Sequence, residues 1–176
     1  MIVMINGAFG SGKTSAAHRL QSLIPDSMIF DPEEVGYMLR NIIPEEIRLK
    51  EEQTDDFQDL ELWRILVVKT AEELKRRYNK SLIVPMTLYK AEPFDYIFDG
   101  LKRLDPDFFH FCLIASEMTI RKRVESRGDL FGEWYQEHTR RAVPAFDESK
   151  LQEQILTDHR EPSEIVGMIL DRIYNR

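Results

Sequence analysis

Apolar positions along the chain follow two rhythms. Short runs, Met1 to Ile5, Ser27 to Phe30, Ser81 to Val84 and Phe108 to Ile114, are mostly apolar and too short for helices. That is the signature of strands covered on both faces, and Gln154 to Thr157 reads as a last, shorter one. Between these runs, apolar residues recur every three or four positions. The period predicts helices over Lys13 to Leu23, from Pro32 with Val35, Met38 and Leu39 on one face, and from about Asp56 to Tyr78. Leu62, Ile65, Leu66, Ala71 and Leu74 carry the third of these. Further helices are predicted over Pro93 to Leu104, Ser116 to Arg127, Trp134 to Val143 and Pro162 to Tyr174. Strands alternating with helices predict a single α/β domain over residues 1–176, with a mostly parallel sheet.

Local signals sharpen the boundaries. Pro25-Asp26 ends the first helix, and Asn79-Lys80 ends the third. Asp31-Pro32-Glu33-Glu34 reads as a helix start: Asp31 as N-cap, Pro32 in the first turn, Glu34 closing a capping box. Pro44-Glu45-Glu46 is placed to begin a further turn.

The first strand runs into Gly7-Ala8-Phe9-Gly10-Ser11-Gly12-Lys13-Thr14 and then into a helix. This fits G-x-x-x-x-G-K-[ST], the phosphate-binding loop, in its confirming strand–loop–helix setting. Backbone N–H groups must wrap a triphosphate, so the loop needs glycines that accept positive φ and let the chain approach closely. The helix aims its N-terminal N–H groups at the same phosphates. Lys13 is expected at the β and γ phosphates, and the Thr14 hydroxyl on Mg²⁺.

Composition narrows the class. The 24 Lys and Arg against 31 Asp and Glu leave a net charge of −7, which argues against nucleic acid as main partner. One cysteine, Cys112, in an apolar run, reads as a buried thiol in a reducing compartment. No stretch has the length of a membrane span, and the phosphate loop leaves no room for a leader, which predicts a cytoplasmic enzyme. The four histidines, 18, 110, 138 and 159, lack metal-ligand spacing and read as surface or packing residues.

In parallel α/β sheets ligands sit at the carboxyl ends of strands. Asp31, Thr87, Ser116 and Asp158 each follow a predicted strand. Asp31 suits a kinase's need for a carboxylate that orients the acceptor hydroxyl and takes its proton, and it is a candidate Mg²⁺ ligand as well; capping its helix is the competing role. Arg123 and Arg127 are four apart and share a helix face. They can meet nucleotide and transferring phosphate from a closing lid, or form a solvated charged face. Arg140 and Arg141 offer a second positive pair. The stretch Asp55 to Arg64, with Asp56, Gln58 and Trp63, suits recognition of a hydroxylated or nucleoside-like acceptor; an acidic helix start over a core Trp is the alternative.

The order of these parts resembles the nucleoside monophosphate kinase-like group of phosphate-loop kinases, which includes shikimate kinase, gluconate kinase and chloramphenicol phosphotransferase. Within that group the chain resembles the tunicamycin-resistance protein family. The segments that carry the resemblance are Ile5 to Thr14, Asp31-Pro-Glu, Asp55-Asp-Phe-Gln58 with Leu62-Trp-Arg64, Ile83-Val-Pro-Met-Thr87, Ala115-Ser116 with Arg123, Arg140, and Thr157-Asp158. The resemblance implies a three-layer fold: a five-stranded parallel sheet in order 2-3-1-4-5, helices on both faces, and a short lid at about residues 123–135. It also implies acceptor contact at Asp31, lid or nucleotide contact at Arg123 and Arg127, and an adenine-side loop from Asp158 through Arg160 to Pro162.

The expected activity is transfer of the γ-phosphoryl group of ATP, with Mg²⁺, to a hydroxyl of a small acceptor, such as a nucleoside-type antibiotic like tunicamycin. Asp31, Asp56, Gln58, Trp63, Arg64, Thr87 and Arg140 are its expected contacts. A non-catalytic antibiotic-binding protein and a metabolic nucleotide kinase are the alternatives. A monomer or homodimer is expected.

Overall fold

The computed structural model describes residues 1–128, 130, 132–147 and 153–175. Five strands, β1 (Ile2–Gly7), β2 (Ser27–Ile29), β3 (Ser81–Met86), β4 (Phe108–Ile114) and β5 (Gln154–Leu156), form one parallel sheet in the order β2-β3-β1-β4-β5. Among the described residues seven α-helices surround it: α1 (Lys13–Leu23), α2 (Pro32–Ile42), α3 (Glu61–Tyr78), α4 (Ala91–Leu104), α5 (Glu117–Ser126), α6 (Glu133–Asp147) and α7 (Pro162–Tyr174).

Side chains of β1 alternate between two cores, as the two-residue period of a strand requires. Ile2 and Met4 pack with Leu82, Val84, Trp63, Val67, Ile97 and Leu101 beneath α3 and α4. Val3 and Ile5 pack with Ala17, Leu20, Ile165 and Ile169 beneath α1 and α7. A third cluster places Ala8 and Cys112 under Ile120, Val124, Ala142 and Phe146 of α5 and α6. Every residue of β1 is buried, so the loop that follows is anchored in the most deeply covered strand of the sheet.

Expectations change in three elements, α3, α2 and β3. Residue 56 does not start the long helix: the Asp56 carboxylate accepts the Gln58 N–H and caps a 3₁₀ turn, Phe57–Asp59, and α3 begins at Glu61. Trp63, Val67 and Ala71 form the buried row of α3, and Leu62 is exposed. In α2, Val35 and Leu39 are buried but Met38 faces solvent. The α2 cap is made by Asp31 on the Glu33 N–H, and Glu34 is an exposed first-turn residue. Finally, β3 continues through Pro85 to Met86. Pro85 lacks a donor, but β2 pairs only with residues 81 to 83, so no ladder bond is lost there. Asp129 and Phe131, within the expected lid, lie outside the described residues.

Candidate active site

The phosphate loop takes the backbone its glycines permit. Gly10 and Gly12 have φ of 75° and 105°, and at Gly7 a Cβ would lie 2.5 Å from the Leu113 carbonyl oxygen. Gly12 is the N-cap of α1 and supplies no side-chain cap, which leaves the first N–H groups of the helix turned toward the loop. Lys13 folds back over the loop: its ammonium donates to the Ala8 carbonyl at 2.9 Å and lies 5.5 Å from the centre of the Phe9 ring. Burial lowers the Lys13 pKa to about 8, against the opposing pull of the Glu33 and Asp31 carboxylates.

A cavity of about 170 Å³ opens at this loop and brings together Gly10, Gly12, Lys13, Thr14, Asp31 and Arg127. These come from three separate segments that the sequence singles out individually. Glu33 also lines it, and the sequence reading passed it over. Burial and the neighbouring Asp31 charge raise the Glu33 pKa, with Lys13 pulling the other way. Asp31 itself uses Oδ1 to cap α2 through the Glu33 N–H at 2.9 Å.

On the other side of the loop, Gly12, Arg123, Arg127, Arg160 and Pro162 line a cavity of about 290 Å³. Arg123 is braced there rather than free. It donates to the carbonyls of Gly10, Ser11 and Thr157 at 3.3, 3.0 and 2.8 Å. The Thr157 hydroxyl accepts from Arg123 at 3.1 Å and lies 3.3 Å from the Ser11 carbonyl. The Asp158 carboxylate accepts from the Ser116 N–H and hydroxyl, each at 3.1 Å, joining the ends of β4 and β5. It does not line this cavity.

A larger cavity, about 350 Å³, lies on the α2 side, in the size range of small-molecule sites. Asp56, Gln58, Trp63 and Thr87 line it, together with aromatic side chains the sequence reading did not select: Tyr37, Phe57, Tyr89 and Tyr135. Two of its polar residues are committed to protein partners. Asp56 accepts from Gln58 and from the Tyr89 hydroxyl, and pairs with Lys90 at 3.1 Å. Burial works against the Asp56 charge, but Tyr89, the Gln58 amide and Lys90 hold its pKa below the usual range. Gln58 Oε1 accepts the N–H groups of Tyr89 and Lys90. These two residues therefore clasp the 3₁₀ turn to the loop after β3. Trp63 donates to the Pro32 carbonyl at 2.9 Å, while the buried Thr87 hydroxyl has no partner among the described residues.

Arg64 and Arg140 stand elsewhere. Arg64 pairs with Glu61 and Glu92 between α3 and α4, and Arg140 pairs with Glu137 on the exposed side of α6. His138, read from the sequence as a surface or packing residue, is buried against the cavity, 3.7 Å from Asp55 and edge-on to Phe9. Phe9, Glu33 and Tyr135 line both this cavity and the one below Lys13. They form the wall where the two chambers meet. Asn6 ties the same junction from beneath. Its Oδ1 accepts the N–H groups of Gly7 and Leu88, and its Nδ2 donates to the Leu88 carbonyl.

Known proteins share this architecture. The tunicamycin resistance protein of Deinococcus radiodurans is 26% identical, over 98% of this chain and 95% of that one, with a TM-score of 0.77. An APS kinase of Mycobacterium tuberculosis is 15% identical over 99% and 97% of the two chains, with a TM-score of 0.68. A gluconokinase of Sinorhizobium meliloti is 17% identical over 98% and 91%, at 0.67. At those identities the two kinases share the fold alone. No curated protein matches the chain. The fold is that of phosphate-loop kinases, and the chain, matched over residues 3–141, belongs to the AAA domain family.

Proposed function

We propose that the protein is a kinase that transfers the γ-phosphoryl group of ATP to a hydroxyl of a small acceptor. One observation carries the reading: a phosphate-loop chamber and a separate aromatic chamber share the wall Phe9, Glu33 and Tyr135. A kinase needs such a pair of sites, meeting where the phosphoryl group crosses.

The roles follow from position. Lys13 and the first N–H groups of α1 hold the phosphates, and displacing Lys13 from the Ala8 carbonyl accompanies their arrival. Thr14 and Asp31 face one cavity with hard oxygen donors, a set that suits Mg²⁺. Bound there, the ion would neutralise charge on the β and γ phosphates. Arg127 enters the same cavity from the end of α5 and can meet charge on the transferring group. Glu33 is the carboxylate that reaches both chambers, and burial raises its affinity for a proton. The acceptor hydroxyl attacks the γ phosphorus, its proton passes to Glu33, and ADP departs. Asp31, with one oxygen on the helix cap, is assigned to the phosphate side. Asp158 is assigned to positioning the β5 loop, and Arg123 to bracing the phosphate loop.

The experiment is acceptor-dependent ADP release across nucleosides, sugars and antibiotics, with mass spectrometry of the product. An acceptor heavier by one phosphoryl group is expected, with the rate lost in Lys13→Ala. A second reading, an antibiotic-sequestering protein, is favoured by the likeness to the Deinococcus protein. Tight tunicamycin binding without ADP release would select it.

A further inference from the structure

Glu33, Tyr37 and Arg40 stand four and three residues apart on α2, hence on one stripe of the helix. All three line the aromatic cavity. Glu33 is at the phosphate end. Arg40 is two turns further on, roughly 10 Å along the axis at 1.5 Å per residue.

The other charges of this cavity are matched within the protein. Asp56 pairs with Lys90, Asp55 faces His138, and Glu33 and Lys13 attract one another. Arg40 has no carboxylate partner among the described residues. Its guanidinium lies 4.2 Å from the centre of the Phe57 ring, and its one hydrogen bond is a 3.4 Å contact to the Thr54 carbonyl. Contact with a ring face uses no N–H group, so the guanidinium keeps donors for a carboxylate or phosphate, which its planar fork fits. The stack is part of the packing. Phe57 closes on α2 because residue 36 is glycine: a Cβ there would sit 2.5 Å from the ring.

We infer that Arg40 is a specificity-determining residue, and that the acceptor carries an anionic group, carboxylate or phosphate, at the end remote from the reacting hydroxyl. The assignment of the reacting end to Glu33 rests on the kinase reading above. The body of the acceptor lies against Tyr37 and Phe57 and spans roughly 10 Å between hydroxyl and anion. A mononucleotide offering its own phosphate for transfer is the wrong class, because its anion would stand at the phosphate loop. A neutral sugar or nucleoside leaves Arg40 desolvated without a partner.

The test is calorimetric binding of matched pairs on one scaffold, anionic and neutral: 4-(hydroxymethyl)cinnamate with its carboxamide, and 4-(hydroxymethyl)cinnamyl phosphate with 4-(hydroxymethyl)cinnamyl alcohol. Wild type should prefer the anionic member of at least one pair. Arg40→Met, which keeps the packing on Phe57, should weaken that member roughly 10- to 100-fold and leave its neutral partner unchanged. Arg40→Lys should recover part of the loss. A preference confined to the carboxylate pair identifies a carboxylate, and one confined to the phosphate pair a phosphate. The inference is overturned if no anionic member is preferred, or if Arg40→Met weakens both members alike in a protein whose thermal unfolding matches wild type. Binding needs no turnover, so failure of the kinase reading leaves this result legible, and an acceptor that turns over without an anion separates the two in the other direction.

Discussion

The two chambers that meet at Phe9, Glu33 and Tyr135 are built by opposite means. The phosphate chamber is mainly one contiguous stretch, Gly7 to Thr14, whose contribution is backbone N–H groups shaped by glycines. The aromatic chamber is assembled from side chains of α2, the 3₁₀ turn, α3, the loop after β3, and α6. A phosphate presents the same oxygens in every nucleotide, so one backbone solution serves repeatedly. Acceptors differ in shape and charge, and recognising them takes side chains that can be exchanged without disturbing the loop. Asn6, bonded to both Gly7 and Leu88, is the joint between the two.

The sharpest way to break this division is at the shared wall. Glu33→Gln should lower turnover by roughly two to four orders of magnitude, as loss of a general base does. Asp31→Asn keeps an oxygen for the Glu33 N–H, so its stability should hold and its rate should fall less, with a loss that depends on Mg²⁺ concentration. Steady-state kinetics of the two variants decide which carboxylate takes the proton. A larger loss in Asp31→Asn at saturating Mg²⁺ would return that role to Asp31.

Gly36→Ala tests whether the acceptor side can be damaged alone. The added methyl meets Phe57, which is packed on Tyr37 and Trp63 and carries Arg40. Overpacking of this kind should cost about 1–3 kcal/mol, read by denaturant unfolding, and should raise the acceptor KM. Nucleotide affinity, read by calorimetry, should stay within about twofold, because the atoms nearest the added methyl belong to Phe57 and not to the phosphate loop.

The smallest effect is a pH dependence confined to the nucleotide side. The folded Lys13 pKa, about 8, lies below the ordinary lysine value of 10.5. Between these values the unfolded chain holds the proton that the folded chain has released, so the stability contributed by Lys13 rises with pH over that window. Phosphate favours the charged ammonium, so nucleotide affinity should move the opposite way, constant below about pH 8 and falling by up to about tenfold per unit above it. Lys13→Met should flatten that slope in a calorimetric pH series. Acceptor binding should show no such slope.

The fold was legible because its signals are local. Both boundaries of α1 and α7, and the full extent of β4, follow from apolar period, Pro25 and Pro162. The 3₁₀ turn at Phe57–Asp59 escaped because Asp56 caps it by a side-chain bond whose strength depends on Tyr89 and Lys90, more than thirty residues away. Arg123 and Arg127 have the spacing of a pair, yet one braces carbonyls of the loop and the other opens to the cavity. Spacing reports a shared face, not what stands opposite it. Glu33 had a signal available: a carboxylate two residues past Asp31, directly after a strand.

Taken alone, the sequence determined the strand–helix alternation, the phosphate loop with its glycines, and the cap at Asp31, because each depends on residues within a turn or two of one another. The tertiary structure decided which carboxylate reaches both chambers, which arginines are braced or paired, and that Tyr37, Arg40, Phe57, Tyr89 and His138 converge on one cavity. Those outcomes depend on the parallel order of β3 beside β1 and on the packing of α2 against Phe57. Long-range packing sets burial, and burial sets which charges stay unmatched and which protons are held loosely.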